Sequence, residues 1–405
     1  MGARRVLAAV AALLVASAGQ APADAQTQKP IRIGVLNDQS TVYADYQGVG
    51  SVIAAQLAAE EYGSRLGLPV EIVSADHQNK TDIGVGIARR WFDQEGVDVI
   101  VDVPNSAIAF GVVNLAREKN KVFLGSGAGS ADLTGKNCSP NSIHWTYDTW
   151  AYGHGLAKAL FAQGGKKWFF ITADYAFGKD LEKNSADEVG ALGGQNLGAA
   201  RHPIGTSDLS SFLLQAQASG ADVIGIANAG DDTTNTIKQA GEFGIGAKQR
   251  LAGLILNVNH VPALGLAAMG GVYMMMPFYW DLNDGTRAFS RRFTDRHPRG
   301  NVPNDMQAGV YSAVAHYLKA AAKLGSVTDG KAVVDAMKAT ETDDPIFGKG
   351  TIRPDGRKLH PMLLLTAKSP QESTGKWDVF RLVSTIPPEQ AFRPMSEGGC
   401  PMVKG

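Results

Sequence analysis

The sequence predicts an α/β protein with two doubly wound lobes, each a parallel sheet covered by helices on both faces. Short β-branched runs alternate with longer amphipathic stretches, and this alternation restarts after Tyr147 in a second run of similar length. Strands that alternate with helices in this way are typical of βαβ units. There is no fixed-period repeat and no long linker rich in Pro, Ser or Gly, so we expect short connections between the lobes.

The elements of the first run follow one another in strict order. The apolar run 31–36 predicts the opening strand, and the polar loop 37–45 separates it from a helix over about 47–62. The pattern then repeats, with strands at 70–73, 97–101 and 121–124 and helices at about 81–93 and 106–119.

The second run repeats this order, and the last third of the chain departs from it. Strands are predicted at 168–172, 221–227 and 251–256, with helices at about 152–163, 177–191 and 233–243. After these come helices at 289–294, 307–324 and 333–339, then strands at 363–366 and 377–383. Strands after helices suggest that the chain crosses between the lobes again before it ends.

Composition excludes several classes of protein. The 405 residues are 44% hydrophobic, which is far too much for a disordered chain, and the length is ample for two domains. With 39 basic and 39 acidic side chains there is no basic field for nucleic acid. The 47 glycines are above the usual share of about 7%. They imply either many tight turns or bare backbone close to a ligand.

The N-terminus predicts export. Arg4 and Arg5 precede an apolar run at 6–18, and a small-residue cleavage site ends at Ala25, so residues 1–25 are predicted to be a signal peptide. The alternative is a buried N-terminal helix. The run is shorter than the roughly 20 residues that cross a bilayer, and no later segment is apolar enough to do so. We therefore expect an exported protein without a membrane span.

The chain has two cysteines, Cys138 and Cys400. In an oxidising compartment an even count favours a disulfide, and the alternative is two unrelated thiols. The bridge would close most of the chain into one loop, which the chain-entropy model values at roughly 5 kcal/mol as an upper bound.

Signatures of catalysis and cofactor binding are missing from the sequence. The eight histidines do not pair at metal-binding spacing, and there is neither a Cys-x-x-Cys motif nor a G-x-S-x-G elbow. The glycine loop 125–129 lacks the spacing of a dinucleotide fingerprint, and 129–136 lacks that of a phosphate loop. We therefore predict a protein that is not an enzyme and that has no metal and no cofactor.

Two loops at predicted strand ends offer backbone groups to a ligand. Asn105-Ser106 and residues 126–130 both lie where a strand meets the start of a helix, and ligands gather at such ends in open α/β sheets. Free N–H groups there favour anions, especially carboxylates, and Gly127 and Gly129 would let an anion approach the backbone. The alternative is that Ser106 is simply a helix N-cap.

Six motifs in the right order carry a resemblance to a known family. They are 31–36 with Tyr43-Ala44 and Gly48, Asn105-Ser106-Ala107, 126–134, Asp174-Tyr175-Ala176-Phe177-Gly178, Ala229-Gly230-Asp231-Asp232, and Gly309-Val310-Tyr311-Ser312-Ala313. Behind a signal peptide, this order resembles the periplasmic solute-binding proteins of ABC importers. The similar family is that of the Leu/Ile/Val-binding proteins, and the chain also looks like its aromatic-acid-binding subgroup.

The resemblance implies a type I fold, a hinged clamp whose lobes are joined by three crossovers. Lobe 1 would comprise 29–146 and 277–352, and lobe 2 would comprise 147–276 and 353–405. It also implies a monomer whose partners are a small-molecule carboxylate and an ABC permease in the inner membrane, with closure around the ligand as the signal to the permease.

The resemblance also implies the ligand contacts. The Ser106 hydroxyl and the amides near Ala128 and Gly129 would hold a carboxylate, while Tyr43, Tyr147 and Tyr175 would line the cleft. The complete candidate set adds Asn105, Ser126, Gly127, Asp231, Asn257 and Asn259.

Departures from the family pattern bear on the ligand class. Amino-acid binders need an acid to pair with the ligand ammonium, but the second-lobe loop 256–260 has no carboxylate, and Asp231 is the remaining candidate. Gly129 also stands where the family often has a hydroxyl residue. The sequence therefore favours a small aromatic or hydrophobic carboxylate over a branched-chain or other neutral amino acid. Alternatives from other classes are a ligand sensor for a signalling receptor and an exported hydrolase.

Overall fold

A computed structural model describes residues 29–245, 248–269 and 272–403. The predicted signal peptide, 1–25, lies outside the described residues.

The first lobe is built on a five-stranded parallel sheet of order β2-β1-β3-β4-β5. Its strands are β1 Ile31–Asn37, β2 Val70–Asp76, β3 Val99–Asp102, β4 Val122–Gly125 and β5 Ser142–His144. Successive side chains of a strand point to opposite faces, so Ile33 and Val35 pack in one core while Leu36 packs in the other. Burial on both faces explains the nearly continuous apolar runs of this sheet.

Helices cover both faces of this sheet. The first helix, α1 Gly48–Ala58, continues through a π-helical turn, Ala59–Gly63, into α2 Ser64–Leu66. The others are α3 Thr81–Asp93, α4 Ser106–Glu118, a 3₁₀ turn Ala131–Thr134, and three helices that return later in the chain, α10 Asp284–Arg296, α11 Asp305–Leu324 and α12 Gly330–Lys338.

The second lobe repeats the design with a four-stranded parallel sheet of order β7-β6-β8-β9. Its strands are β6 Lys167–Ala173, β7 Gln195–His202, β8 Val223–Ala227 and β9 Arg250–Gly253. Its helices are α5 Thr149–Ala162, α6 Ala176–Ala191, α7 Ser210–Ala218, α8 Asp231–Glu242, a 3₁₀ turn Val258–His260 and α9 Val261–Leu264.

Two small antiparallel sheets and a tail complete the molecule. Strands β10 Tyr273–Met276, β14 Met362–Ala367 and β15 Phe380–Ile386 form one sheet, which shares a core with the second lobe through Met274, Leu363 and Ile226. The other sheet consists of β11 Thr342–Asp344, β12 Gly348–Ile352 and β13 Lys358–Leu359. The tail carries α13 Pro388–Ala391 and a 3₁₀ turn Met395–Glu397.

The chain passes between the lobes three times. The first crossover lies between β5 and α5, the second between β10 and α10, and the third after β12, where the chain leaves the small sheet for β14. Two doubly wound parallel sheets with three crossovers confirm the predicted type I arrangement. The predicted disulfide is also confirmed, since Cys138 and Cys400 are bonded with their Cα atoms 5.7 Å apart.

Strand β7 was not predicted, and the last strand begins later than predicted. Strand β7 lies at a sheet edge and is largely exposed, so its polar sequence lacks the apolar signal used for the other strands. The last strand begins at Phe380 and not at 377, because the Trp377 carbonyl accepts hydrogen bonds from the Tyr279 hydroxyl (3.1 Å) and the Trp280 indole (2.8 Å). These bonds hold residue 377 in a turn before the strand.

Candidate functional site

The two lobes enclose a small apolar space of about 220 Å³. None of the lining side chains is charged, and five of them are aromatic. The lining residues are Tyr43, Tyr46, Gln47, Pro104, Gly127, Tyr147, Tyr175, Phe177, Ala229, Ile255 and Met306.

Strand ends place most of these residues. Tyr43 follows β1, Pro104 follows β3 and Gly127 follows β4, while Tyr175 follows β6 and Ala229 follows β8. All five strands are parallel within their sheets, so their carboxyl ends meet at one edge of each lobe. The cleft is therefore formed where the carboxyl edges of the two sheets face each other, as expected for ligand sites in open α/β sheets.

Direct hydrogen bonds join the lobes across the mouth of the cleft. The Tyr43 hydroxyl lies 2.6 Å from the Tyr175 hydroxyl, and the Tyr46 hydroxyl lies 2.8 Å from Nε2 of His260. Asn259 Nδ2 donates to the Asp45 carbonyl at 3.1 Å. The structure therefore shows the clamp in a closed form.

The tyrosines of the cleft are neutral at physiological pH. Burial raises the pKa values of Tyr43, Tyr46, Tyr147 and Tyr175 above the usual value for a phenol. His260 is also uncharged at neutral pH, because burial lowers its pKa to about 4. The walls consequently offer apolar surface and neutral hydroxyl groups to a ligand.

Asn105, and not Ser106, caps helix α4. The Asn105 side-chain oxygen accepts from the amides of Ala107 (3.0 Å) and Ile108 (3.3 Å), so the alternative assignment of Ser106 as the N-cap is wrong. The buried Ser106 hydroxyl oxygen instead accepts from the Ser130 amide at 3.2 Å. It thus joins the start of α4 to the loop that follows β4.

The two candidate glycines of that loop are packed against the chain's own side chains. A β-carbon on Gly127 would lie 2.6 Å from Oδ1 of Asp102, and one on Gly129 would lie 2.6 Å from Phe177 and 2.7 Å from Tyr147. Glycine is required at both positions because these groups occupy the space. Gly127 lines the cleft through its backbone, whereas Gly129 is not among the lining residues.

The remaining predicted residues, like Asn105 and Ser106, are not among those that line the cleft. The buried Ser126 hydroxyl donates to Oδ1 of Asp102 at 3.4 Å, and Ala128 is buried with its carbonyl 2.6 Å from Nε2 of His144. Asn257 caps the 3₁₀ turn through the amide of Asn259. Asp231 is exposed at the start of α8 and is not among the lining residues.

Sequence reasoning missed seven of the eleven lining residues. Tyr46 and Gln47 lie within four residues of Tyr43, and Phe177 belongs to the quoted motif at 174–178, so their positions gave a usable signal. No sequence signal pointed to Met306, because it belongs to α11, which is far in the sequence from the other lining residues.

A family model described as periplasmic binding protein matches residues 30–376. The chain belongs to the periplasmic binding protein family. Members of this family bind small-molecule ligands and work with the permeases of ABC transporters, so the family implies a periplasmic location.

Solved structures agree with this assignment. A periplasmic binding protein from Burkholderia mallei is 45% identical, with a TM-score of 0.90 over 93% of this chain and 99% of that one. A branched-chain amino acid ABC transporter periplasmic ligand-binding protein from Burkholderia xenovorans is 42% identical, with a TM-score of 0.81 over 92% and 99% of the two chains. A solute-binding protein from R. palustris in complex with benzoate shares the fold at 19% identity and a TM-score of 0.79, over 89% and 97%.

The described residues include neither a membrane-spanning helix nor a cluster of metal ligands. None of their helices combines the length and the apolar character that crossing a membrane requires. Within the same residues, no three His, Cys, Asp or Glu side chains are grouped so as to hold a metal ion.

Proposed function

We propose that this periplasmic binding protein captures a small aromatic or hydrophobic carboxylate in its cleft and delivers it to an ABC permease in the inner membrane. The observation that carries the proposal is the lining, in which four tyrosines and Phe177 surround a space without a charged side chain. Offset stacking on such rings adds about 0.5–1.5 kcal/mol per pair beyond the burial of area.

The carboxylate of the ligand would bind at the start of α4. The positive end of the helix dipole and the amides near 128 and 129 favour an anion, and the Ser106 hydroxyl hydrogen is available because its oxygen only accepts in the described structure. Tyr147 closes this end of the cleft, since its hydroxyl donates to the Gly127 carbonyl at 2.6 Å.

A branched-chain or other neutral amino acid is the second candidate. It is favoured by the description of the Burkholderia xenovorans relative as a branched-chain amino acid transport protein at 42% identity. The two candidates differ in whether the apolar part of the ligand is aromatic and in whether the bound carboxylate carries an ammonium group.

Calorimetric titration and thermal shift distinguish these candidates. Benzoate, cinnamate and 3-phenylpropionate are compared with leucine and valine. A ligand at 100 times its Kd should stabilise the protein by about 2.7 kcal/mol. Stabilisation by leucine or valine without any by the aromatic acids would contradict the proposal and favour the amino-acid alternative.

Two alanine variants test the site assignment. We expect Tyr175→Ala and Ser106→Ala to weaken binding about tenfold or more, each by removing a ligand contact, without unfolding the protein. Tyr273→Ala and Ser211→Ala are matched controls, because their side chains lie outside the cleft lining. Unchanged affinity in both test variants would show that the ligand binds elsewhere.

A further inference from the structure

One short segment of the first lobe, residues 42–46, makes four hydrogen bonds to the second lobe. This segment lies in the loop between β1 and α1 and is named the clasp. The four bonds join the Val42 carbonyl to the Asp231 amide (3.3 Å), the Tyr43 hydroxyl to the Tyr175 hydroxyl (2.6 Å), the Asp45 carbonyl to Nδ2 of Asn259 (3.1 Å) and the Tyr46 hydroxyl to Nε2 of His260 (2.8 Å). Their second-lobe partners follow three different strands, β6, β8 and β9, so the clasp contacts most of the cleft edge of that sheet.

The second lobe is shaped to receive the clasp at Gly230. This residue has a φ of +64°, which favours glycine, and a β-carbon there would lie 2.3 Å from the Val42 carbonyl oxygen. The Val42 side chain packs against the core of the second lobe. Asp231 is the first residue of α8, so its amide has no acceptor within the helix and bonds to the Val42 carbonyl across the lobes. The fit therefore depends on where the Val42 carbonyl lies.

A buried carboxylate fixes the chain that leads into the clasp. Asp38 directly follows β1 and is 0% exposed. Its two oxygens accept five hydrogen bonds, from the amides of Ser40 (3.2 Å), Thr41 (2.8 Å) and Tyr43 (2.9 Å), from the Thr41 hydroxyl (2.5 Å) and from Nδ2 of Asn79 (2.7 Å). Four of these bonds come from the next five residues, so they fold 38–43 into a tight turn.

Asp38 is not a ligand group. It is not among the residues that line the cleft, and the five donors of the chain already fill the acceptor capacity of its carboxylate. Its influence on the cleft passes through the turn, which places the Val42 carbonyl and the Tyr43 side chain against the second lobe.

We propose that residues 42–46 hold the lobes closed and that Asp38 is the positioning residue of this clasp. Asp38 acts through the Tyr43 amide and the turn around Thr41. The inference goes beyond the proposed function, because it concerns how long the lobes stay closed and not which ligand lies between them.

The clasp controls the release of a ligand more than its capture. Its bonds to the second lobe exist only while the lobes are in contact, so they stabilise the closed form and leave the open form unchanged. A ligand enclosed between the lobes leaves after they separate. Weakening the clasp therefore raises the dissociation rate and has little effect on the association rate.

Amide hydrogen exchange resolved to single residues tests the clasp directly in Asp38→Asn. In either orientation the new side-chain amide group points its N–H groups at donors of the turn, so the turn is displaced. We expect the Asp231 amide to be protected in the wild type and to exchange about tenfold faster in the variant. The measurement is made on the unliganded protein and again with benzoate, 3-phenylpropionate or leucine added.

Stopped-flow kinetics with the same three probes give a second readout. For each probe that binds, Asp38→Asn should raise the dissociation rate about tenfold and change the association rate by less than about twofold. A carboxylate that only stabilised the first lobe would lower the melting temperature without changing the dissociation rate.

Asp76→Asn is the matched control. The Asp76 carboxylate accepts from the Gln39 amide (3.0 Å) and the Ser40 hydroxyl (2.6 Å) of the same loop, but these bonds end before the clasp. Exchange of the Asp231 amide and the dissociation rate should both stay at the wild-type values. Thermal unfolding verifies that the variants fold. If Asp38→Asn does not fold, Thr41→Val removes one donor to Asp38 and should change both readouts in the same direction, by about two- to threefold.

The outcomes separate the clasp from the proposed function. Faster exchange and faster dissociation in Asp38→Asn, with neither in Asp76→Asn, support the inference. An Asp231 amide that is unprotected in the wild type under every condition shows that the clasp does not form, and equal protection in the wild type and Asp38→Asn removes the role of Asp38. Failure of all three probes to bind contradicts the proposed ligand class, while the exchange measurement still decides whether the clasp exists.

Discussion

At the scale of single residues, Asp102 combines an unfavourable backbone conformation with a buried carboxyl group. It ends β3 with a φ of +80°, a conformation that L residues rarely adopt, and its carboxyl is fully buried. Asn37 Nδ2 donates to it at 3.2 Å and the Ser126 hydroxyl at 3.4 Å, but neither partner is charged. Burial therefore dominates and raises the pKa of Asp102 to about 7.

This shift predicts a pH dependence of stability. Folding raises the pKa from 3.8 to about 7, so the folded state binds more protons than the unfolded state between these values. Relative to Asp102→Asn, the wild type should lose stability as the pH rises from about 4 to 7, by as much as about 4 kcal/mol. Urea unfolding of both proteins across this range measures the difference.

A control variant separates Asp102 from the other titrating groups. Asp343→Asn makes the same chemical change at an exposed carboxylate. The stability of this variant should follow that of the wild type at every pH. If the difference between the wild type and Asp102→Asn does not vary with pH, Asp102 does not titrate in this range.

At the scale of elements, a buried cation holds two crossovers together. The guanidinium of Arg357, in the third crossover, donates to the carbonyls of Thr146 and Tyr147 in the first. It also lies 3.4 Å from Asp148 and 4.5 Å from the centre of the Phe392 ring. Burial lowers the pKa of Arg357 to about 10, which leaves it charged at neutral pH.

Replacing Arg357 should therefore be costly. Arg357→Leu leaves Asp148 and two carbonyls without this partner, and we expect the free energy of unfolding to fall by about 3–5 kcal/mol. The exposed pair of Arg299 and Asp45 provides a matched control, and Arg299→Leu should cost only about 0–1 kcal/mol. Denaturant titration compares the two, and similar small losses would show that Arg357 does not secure the crossovers.

At the scale of the whole molecule, the C-terminal tail is fastened to the first lobe by a covalent bond. Cys400 is bonded to Cys138 of the first-lobe segment that follows the 3₁₀ turn, 262 residues away. Arg393 Nη2 donates to the Ala131 carbonyl at 2.9 Å, and Arg353 Nη1 donates to the Arg393 carbonyl at 2.8 Å. The tail thus contacts both the first lobe and the third crossover.

Removing the disulfide should destabilise the protein without changing its fold. The chain-entropy model gives an upper bound of roughly 5 kcal/mol for a loop of this length. The double variant Cys138→Ser, Cys400→Ser should therefore unfold at a lower urea concentration, while its circular dichroism spectrum stays that of the wild type. Reduced wild type should match the variant, and an unchanged unfolding midpoint would contradict the stabilising role of the bridge.

Several elements that are buried on both faces or strongly amphipathic were predictable from sequence, although the buried three-residue strand β5 was not predicted. Helix α3 has the predicted bounds, and β1 differs by one residue, because their periodicity reflects local burial. Strand β7 and the shift of β15 were not predictable. The first is an exposed edge, and the second depends on hydrogen bonds to Trp377 from residues about a hundred positions away.

For the site, the sequence by itself determined the fold, the strand-end loops and three of the lining tyrosines, since these follow from local pattern and motif order. The tertiary structure decided which polar groups meet. Asp305 belongs to α11, and no local pattern predicts that its carboxyl lies beside Asn257 of the second lobe. That proximity arises only when the crossovers bring the lobes together, because long-range contacts depend on how the elements pack and not on their local periodicity.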